Sequence, residues 1–124
     1  MKRLYALRGA VCSQNTKDDI LRNVGDMCRT LFSLNDVKAE DLVSIQFTMT
    51  KELDVMNPCY ALRHSDTGID TSKVALFSTP ELEIVGMLKN CIRVMVTLYL
   101  EENSELHMVY MNGAEVLRPD FAGK

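Results

Sequence analysis

Residues 90–98 read NCIRVMVTL. Cysteine, isoleucine, valine and methionine suit a pleated, buried surface, whereas the guanidinium in their midst is always charged and is rarely buried without a partner. Side chains two apart on a strand share a face. A strand here therefore lines Ile92, Val94, Val96, Leu98 and Leu100 along one side, and Cys91, Arg93, Met95, Thr97 and Tyr99 along the other. The first face is pure core. The second, carrying Arg93, meets a cavity, another subunit or, more simply, a surface carboxylate.

Outward from that strand, the 124 residues make one domain spanning 1–124. Such a length buries about two-thirds of the unfolded surface in a single core. Apolar residues at 47% and charged residues at 25% are ordinary for a globular chain. A net charge of −3, with only four Tyr and four Phe, argues against a general nucleic-acid binder, which needs a basic face and stacking aromatics. An anionic ligand must then be held by a local cluster of cations. The opening MKRLYALRGAVC has no apolar stretch of signal-peptide length, and no run approaches the ~20 apolar residues of a membrane span, so the expected location is the cytoplasm. Cys12, Cys28, Cys59 and Cys91 form no CxxC, and neither His64 nor His107 stands at zinc-like spacing from them. Four free thiols, mostly buried, are expected, and neither a zinc hydrolase nor a Ser-His-Asp enzyme is.

Along the chain, KRLYALR (2–8) ends at Gly9 and reads as a first strand with Arg8 at its end. From Thr16 the period changes: Ile20, Leu21, Val24, Met27, Cys28, Leu31 and Phe32 recur at helical spacing behind Asp18 and Asp19, a capped and dipole-matched start. After the polar SLNDVKAEDL, LVSIQFTMT alternates, placing Val43, Ile45, Phe47 and Met49 on one face. NPCYALRHS predicts a short helix with Asn57 as cap and Pro58 at its first position, which puts Tyr60 and Arg63 on one side. HSDTGIDTS is loop and KVALFS a strand. STPELEIVGMLKN predicts a turn or short helix opening at Pro80, and Asn112-Gly113 within MVYMNGAEVLRPD predicts a hairpin. The sum is an α+β domain. A sheet with one long helix leaves its other face uncovered, and in so short a chain that face is expected to pack on copies of itself.

Four of the seven arginines, Arg8, Arg63, Arg93 and Arg118, fall among apolar or structured neighbours. Converging guanidiniums suit bidentate recognition of a small dicarboxylate. Taken singly, each candidate has a plainer reading: Arg118 as a strand-end charge before Pro119, Glu81 as a first-turn glutamate, Tyr110 as a strand aromatic.

Taken in order, LRGAV, the acidic capped helix, NPCYALR, ELEIVGMLKNCIRVMVTL and VYMNGAEVLRPD resemble the bacterial monofunctional chorismate mutases of the AroH class over nearly the whole chain. The resemblance implies a ferredoxin-like mixed sheet packed with helices, three subunits closing a pseudo-barrel, and active sites at the subunit interfaces. It implies the Claisen rearrangement of chorismate to prephenate, in phenylalanine and tyrosine biosynthesis, with no metal or cofactor. Carried over residue by residue, Arg93 is the cation aimed at the ether oxygen and Glu81 the acceptor of the substrate ring hydroxyl. Arg8 pairs with a substrate carboxylate and Tyr110 helps fix the enolpyruvyl carboxylate. Arg63 comes from the neighbouring subunit, Leu117 is an apolar wall, and Arg118 closes over the ligand with a brief tail ending at Lys124. This chain departs from the pattern at Asn57, where an aromatic wall is usual, at Tyr60, where a lysine often lies, and at Ser78, where a cysteine is typical. These changes bear on efficiency more than on reaction class, since losing a lysine weakens the field that draws in a dianion. Two other readings stay open at this stage: a trimeric imine or enamine deaminase of the RidA type, and a non-catalytic regulatory trimer that keeps the anion pocket.

Overall fold

The strand formed by NCIRVMVTL is the central one of the sheet. The computed structural model describes residues 1–120, and within them five strands form one sheet: β1 (Lys2–Cys12), β2 (Leu42–Met49), β3 (Ala75–Pro80), β4 (Cys91–Glu101) and β5 (Val109–Met111). Helices α1 (Lys17–Leu34) and α2 (Pro58–Arg63) complete a mixed α+β fold, with 3-10 turns at Ala39–Asp41 and Ala114–Leu117. The sheet order is β3-β2-β4-β1-β5. β4 runs antiparallel to both β1 and β2, while β2–β3 and β1–β5 are parallel pairs. β1 and β2 therefore point the same way, joined through α1, with β4 inserted between them as a split β-α-β unit.

Alternation along β4 holds as expected. Ile92, Val94, Val96 and Leu98 are buried on the helix side with Leu7, Val11, Ile45 and Phe47 of the flanking strands, against Ile20, Val24, Met27 and Leu31 of α1. α1 begins at the expected cap: Thr16 Oγ1 accepts from the Asp19 N–H at 3.1 Å. Replacing Thr16 by alanine leaves that N–H without its partner, and we expect a loss of about 1 kcal/mol in urea unfolding at fixed protein concentration. α2 likewise starts as read, with the Asn57 side chain accepting from Cys59 N and Pro58 at the first position. The four cysteines are free, and Cys28, Cys59 and Cys91 are buried.

Three expectations are corrected and a fourth is narrowed. The first strand does not stop at Gly9 but continues to Cys12, because Gly9 serves close approach and not a turn: a Cβ there would meet the Val109 carbonyl at 3.0 Å, in the β1–β5 pairing. Arg8 is consequently mid-strand. Val43 is exposed, since the β2–β4 register shifts between Leu42 and Ser44 and lifts it out of the alternation. Of the turn or short helix expected from Pro80, only a turn forms, at 85–86; proline ends the edge strand β3, where its missing N–H costs no ladder bond, and the chain runs irregularly to Asn90. Asn112 and Gly113 do adopt left-handed conformations, at φ 52° and 98°, yet they lead into the turn Ala114–Leu117 and form no hairpin. Ala114 and Leu117, three apart on that turn, pack on Ala10, Cys91 and Tyr110, and this burial displaces a return strand.

Candidate active site

Thr48, Arg93, Ala10 and Tyr110 stand in one register row across β2, β4, β1 and β5. They face away from the helices, and Arg8, two residues before Ala10, shares that face opposite Met95. Glu81 follows β3 directly. Its backbone N–H donates to the Met49 carbonyl at 3.1 Å, which brings its carboxylate back over the sheet. There Arg93 Nη1 donates to Glu81 Oε2 at 3.3 Å, and Thr48 Oγ1 donates to the same oxygen at 3.0 Å. The partners differ in exposure: the Glu81 side chain is 16% exposed and that of Arg93 53%. Carboxylate and cation are thus paired, but the guanidinium keeps much of its surface open. Arg93 has both a carboxylate partner and a cavity, so the alternatives left by the sequence are realised together.

The cavity measures about 270 Å³ and is lined by Arg8, Thr48, Phe77, Glu81, Arg93 and Tyr110, among others. Leu117 lines a second hollow of about 220 Å³ that shares Glu81 and Arg93, so it adjoins the same ion pair. Tyr110 is nearly buried in a small cluster with Ala10, Cys91 and Ala114, which holds its phenol at the cavity edge. In that cluster burial pushes the Cys91 thiol up to about 12, ahead of the influence of Cys12. A neutral thiol is a poor nucleophile.

The other candidates lie elsewhere. Asn57 Oδ1, engaged at 2.7 Å by the Cys59 N–H, also accepts from Ser78 Oγ at 3.4 Å. Both residues line a separate hollow of about 590 Å³ that meets the first at Thr79. Tyr60 is exposed and stacks on His64 at 3.9 Å, and Arg63 is exposed at the end of α2. Arg118 follows the 3-10 turn and not a hairpin strand, and makes a two-point pair with Asp120 at 3.1 and 2.7 Å. That hydrogen-bonded pair, first among its influences, holds the Arg118 guanidinium above its ordinary value. The tail expected beyond it lies, from Phe121 on, outside the described residues. One chain therefore assembles Arg8, Glu81, Arg93 and Tyr110, with Leu117 adjoining and Arg118 within electrostatic reach of Tyr110, and leaves Asn57, Tyr60, Arg63 and Ser78 outside the cavity.

Thr48 and Phe77 were not singled out by the sequence. The alternation of LVSIQFTMT carried the signal for Thr48, because assigning Ile45 and Phe47 to the core sends Gln46 and Thr48 to the opposite face. Among the described residues no three His, Cys, Asp or Glu side chains are placed to hold a metal ion, and no helix is long and apolar enough to cross a membrane.

Two arginines, a shielded carboxylate and a phenol on one face of a mixed sheet make a site whose chemistry suits a small anion with carboxylate groups. The chain belongs to the family described as chorismate mutase type I, which matches residues 4–121. It is 29% identical over 121 residues to chorismate mutase AroH of Bacillus subtilis (strain 168), covering 96% of this chain and 93% of that protein. The solved structure of chorismate mutase from Clostridium thermocellum is 32% identical, with a TM-score of 0.82 over 90% of this chain and 98% of the other. Family and neighbours make the chain an isomerase enzyme of the chorismate mutase class.

Proposed function

We propose that this enzyme rearranges chorismate to prephenate, in aromatic amino acid biosynthesis, by holding the substrate as a compact chair and stabilising the charge that grows on its ether oxygen. The observation that carries the mechanism is the Arg93–Glu81–Thr48 arrangement beside the cavity. Fixing the chair removes a conformational part of the barrier. As the ether C–O bond lengthens ahead of C–C formation, the ether oxygen gains negative charge, and a cation already aimed at it stabilises the transition state more than the substrate. Arg93 is that cation. Glu81 accepts from the ring hydroxyl, Arg8 pairs with a carboxylate, and Tyr110 helps fix the enolpyruvyl carboxylate. The test is loss of the chorismate diene absorbance with purified protein, with prephenate identified as product.

We assign the assembly as a homotrimer, with the single-domain subunits in a ferredoxin-like arrangement closing a pseudo-barrel and each site completed by a neighbour. Two features support it. The sheet face away from the helices leaves Leu4, Phe77, Met95 and Tyr99 exposed, and the single-chain cavity falls below the ~300–1,000 Å³ usual for ligand pockets. In the trimer Arg63 reaches the site of the adjacent subunit, while Leu117 walls the site of its own chain and Arg118 closes over it. Light scattering should give three times the chain mass; a monomer at enzyme-assay concentrations would remove the shared sites. Asn57 and Ser78 bond to each other, so their departures from the family pattern act together, tying α2 to β3 where an aromatic wall is usual. Four free thiols and the family fit a cytoplasmic location. Neither the imine-deaminase nor the non-catalytic reading is favoured by the relatives.

A further inference from the structure

We infer that Thr48 is a positioning residue for the rearrangement: its hydroxyl holds one oxygen of Glu81 so that the other faces the substrate and Arg93 keeps most of its donors for the ether oxygen. The inference rests on the roles of Glu81 and Arg93 proposed above. Thr48 stands directly opposite Arg93 in the β2–β4 register, and the two side chains meet at a single atom, Glu81 Oε2. Among the described residues Oε1 takes no hydrogen bond. Glu81 is also tied by its backbone N–H to the carbonyl of Met49, the residue after Thr48, so β2 grips it at two adjacent points.

The alternative geometry explains why such a grip matters. A carboxylate free to turn beside a guanidinium settles into a two-point fork, with two N–H groups on two oxygens. That fork would occupy both Glu81 oxygens and two Arg93 donors at once, leaving the hydroxyl acceptor filled and the cation screened. With Thr48 on Oε2, Arg93 makes one contact at 3.3 Å and stays about half exposed. Threonine suits the task because its branched Cβ limits χ1, so the hydroxyl stays aimed from the strand. Thr48 touches no substrate in this scheme and works through Glu81.

The experiment is steady-state kinetics with chorismate on the full chain and its Thr48→Val, Thr48→Ser, Glu81→Ala and Thr48→Val/Glu81→Ala variants, with melting temperatures measured alongside. Thr48→Val keeps the shape and strand preference and removes the hydroxyl. We expect kcat to fall about tenfold, equivalent to about 1.4 kcal/mol, while KM moves less than about twofold, because the carboxylate contacts of Arg8 and Tyr110 remain. Thr48→Ser should return kcat to within about twofold of the parent. In the Glu81→Ala background the valine substitution should change kcat no further, since the oxygen it positions is gone. Near-parental turnover in Thr48→Val overturns the inference, and so does an equal loss in both backgrounds, which would place the effect in strand packing. A parent without turnover overturns the mutase reading and the inference with it, whereas an active, Arg93-dependent parent indifferent to Thr48 overturns the inference alone.

Discussion

Arg93→Ala should reduce chorismate turnover by about 10³-fold, the scale of losing a preorganised charge at a developing oxyanion, and leave the chain folded. Folding survives because the Arg93 side chain lies on the face away from α1 and contributes nothing to the main core, and Glu81 keeps its hydrogen bond from Thr48. The far-ultraviolet circular dichroism spectrum and the melting temperature should stay close to those of the parent while product formation disappears. Arg93→Lys should be poor as well. An ammonium keeps the charge but cannot hold Glu81 and the ether oxygen through separate N–H groups of one rigid plane. Turnover close to the parent in either variant would place the cation elsewhere in the cavity, with Arg8 the nearest alternative.

The second large effect belongs to Glu81. Glu81→Ala removes the ring-hydroxyl acceptor and the counter-charge of Arg93 together, and kcat/KM should fall about 10²-fold. Glu81→Gln is expected to be milder, since it keeps a carbonyl oxygen, but the structure limits how much milder. Thr48 and Arg93 both donate to Oε2, so the amide oxygen must take that place and the NH₂ must turn toward the substrate. A ring hydroxyl that donates to the native carboxylate then has to accept instead. We expect a loss of about tenfold for glutamine, between parent and alanine, read from kcat/KM under identical conditions. Equal losses in the two variants would show that the substrate needs a carboxylate oxygen facing it, which the amide NH₂ cannot replace.

Much of this architecture is legible in the sequence. The two faces of β4 could be separated by counting in twos, and α1 by its cap at Thr16 and its helical period, because these signals come from residues close in sequence. The short helix α2 was announced by Asn57 and Pro58 for the same reason. Where local signals failed, a distant partner had intervened. Asn112-Gly113 supplied a turn, but Ala114 and Leu117 found Cys91 and Tyr110 to pack on, and the return strand never formed. Gly9 looked like a stop, and its purpose became visible only with Val109 laid against it.

The site divides along the same line. Arg8, Glu81, Arg93 and Tyr110 could be named from their order along the chain through the family they resemble, and they do converge on one cavity. Thr48 could not be so named, because nothing local marks a threonine in an alternating strand as the partner of a glutamate 33 residues away. Composition and local period, 2 in the strands and 3.6 in the helices, set which face of each element is apolar. Which elements become neighbours is settled by folding: sheet order, the pairing of β1 with β5, and the meeting of Thr48, Glu81 and Arg93 at one oxygen. The physical reason is that periodicity is set by backbone geometry within a few residues, whereas pairing is set by burial and hydrogen bonding among segments far apart, which become neighbours only when the chain is folded.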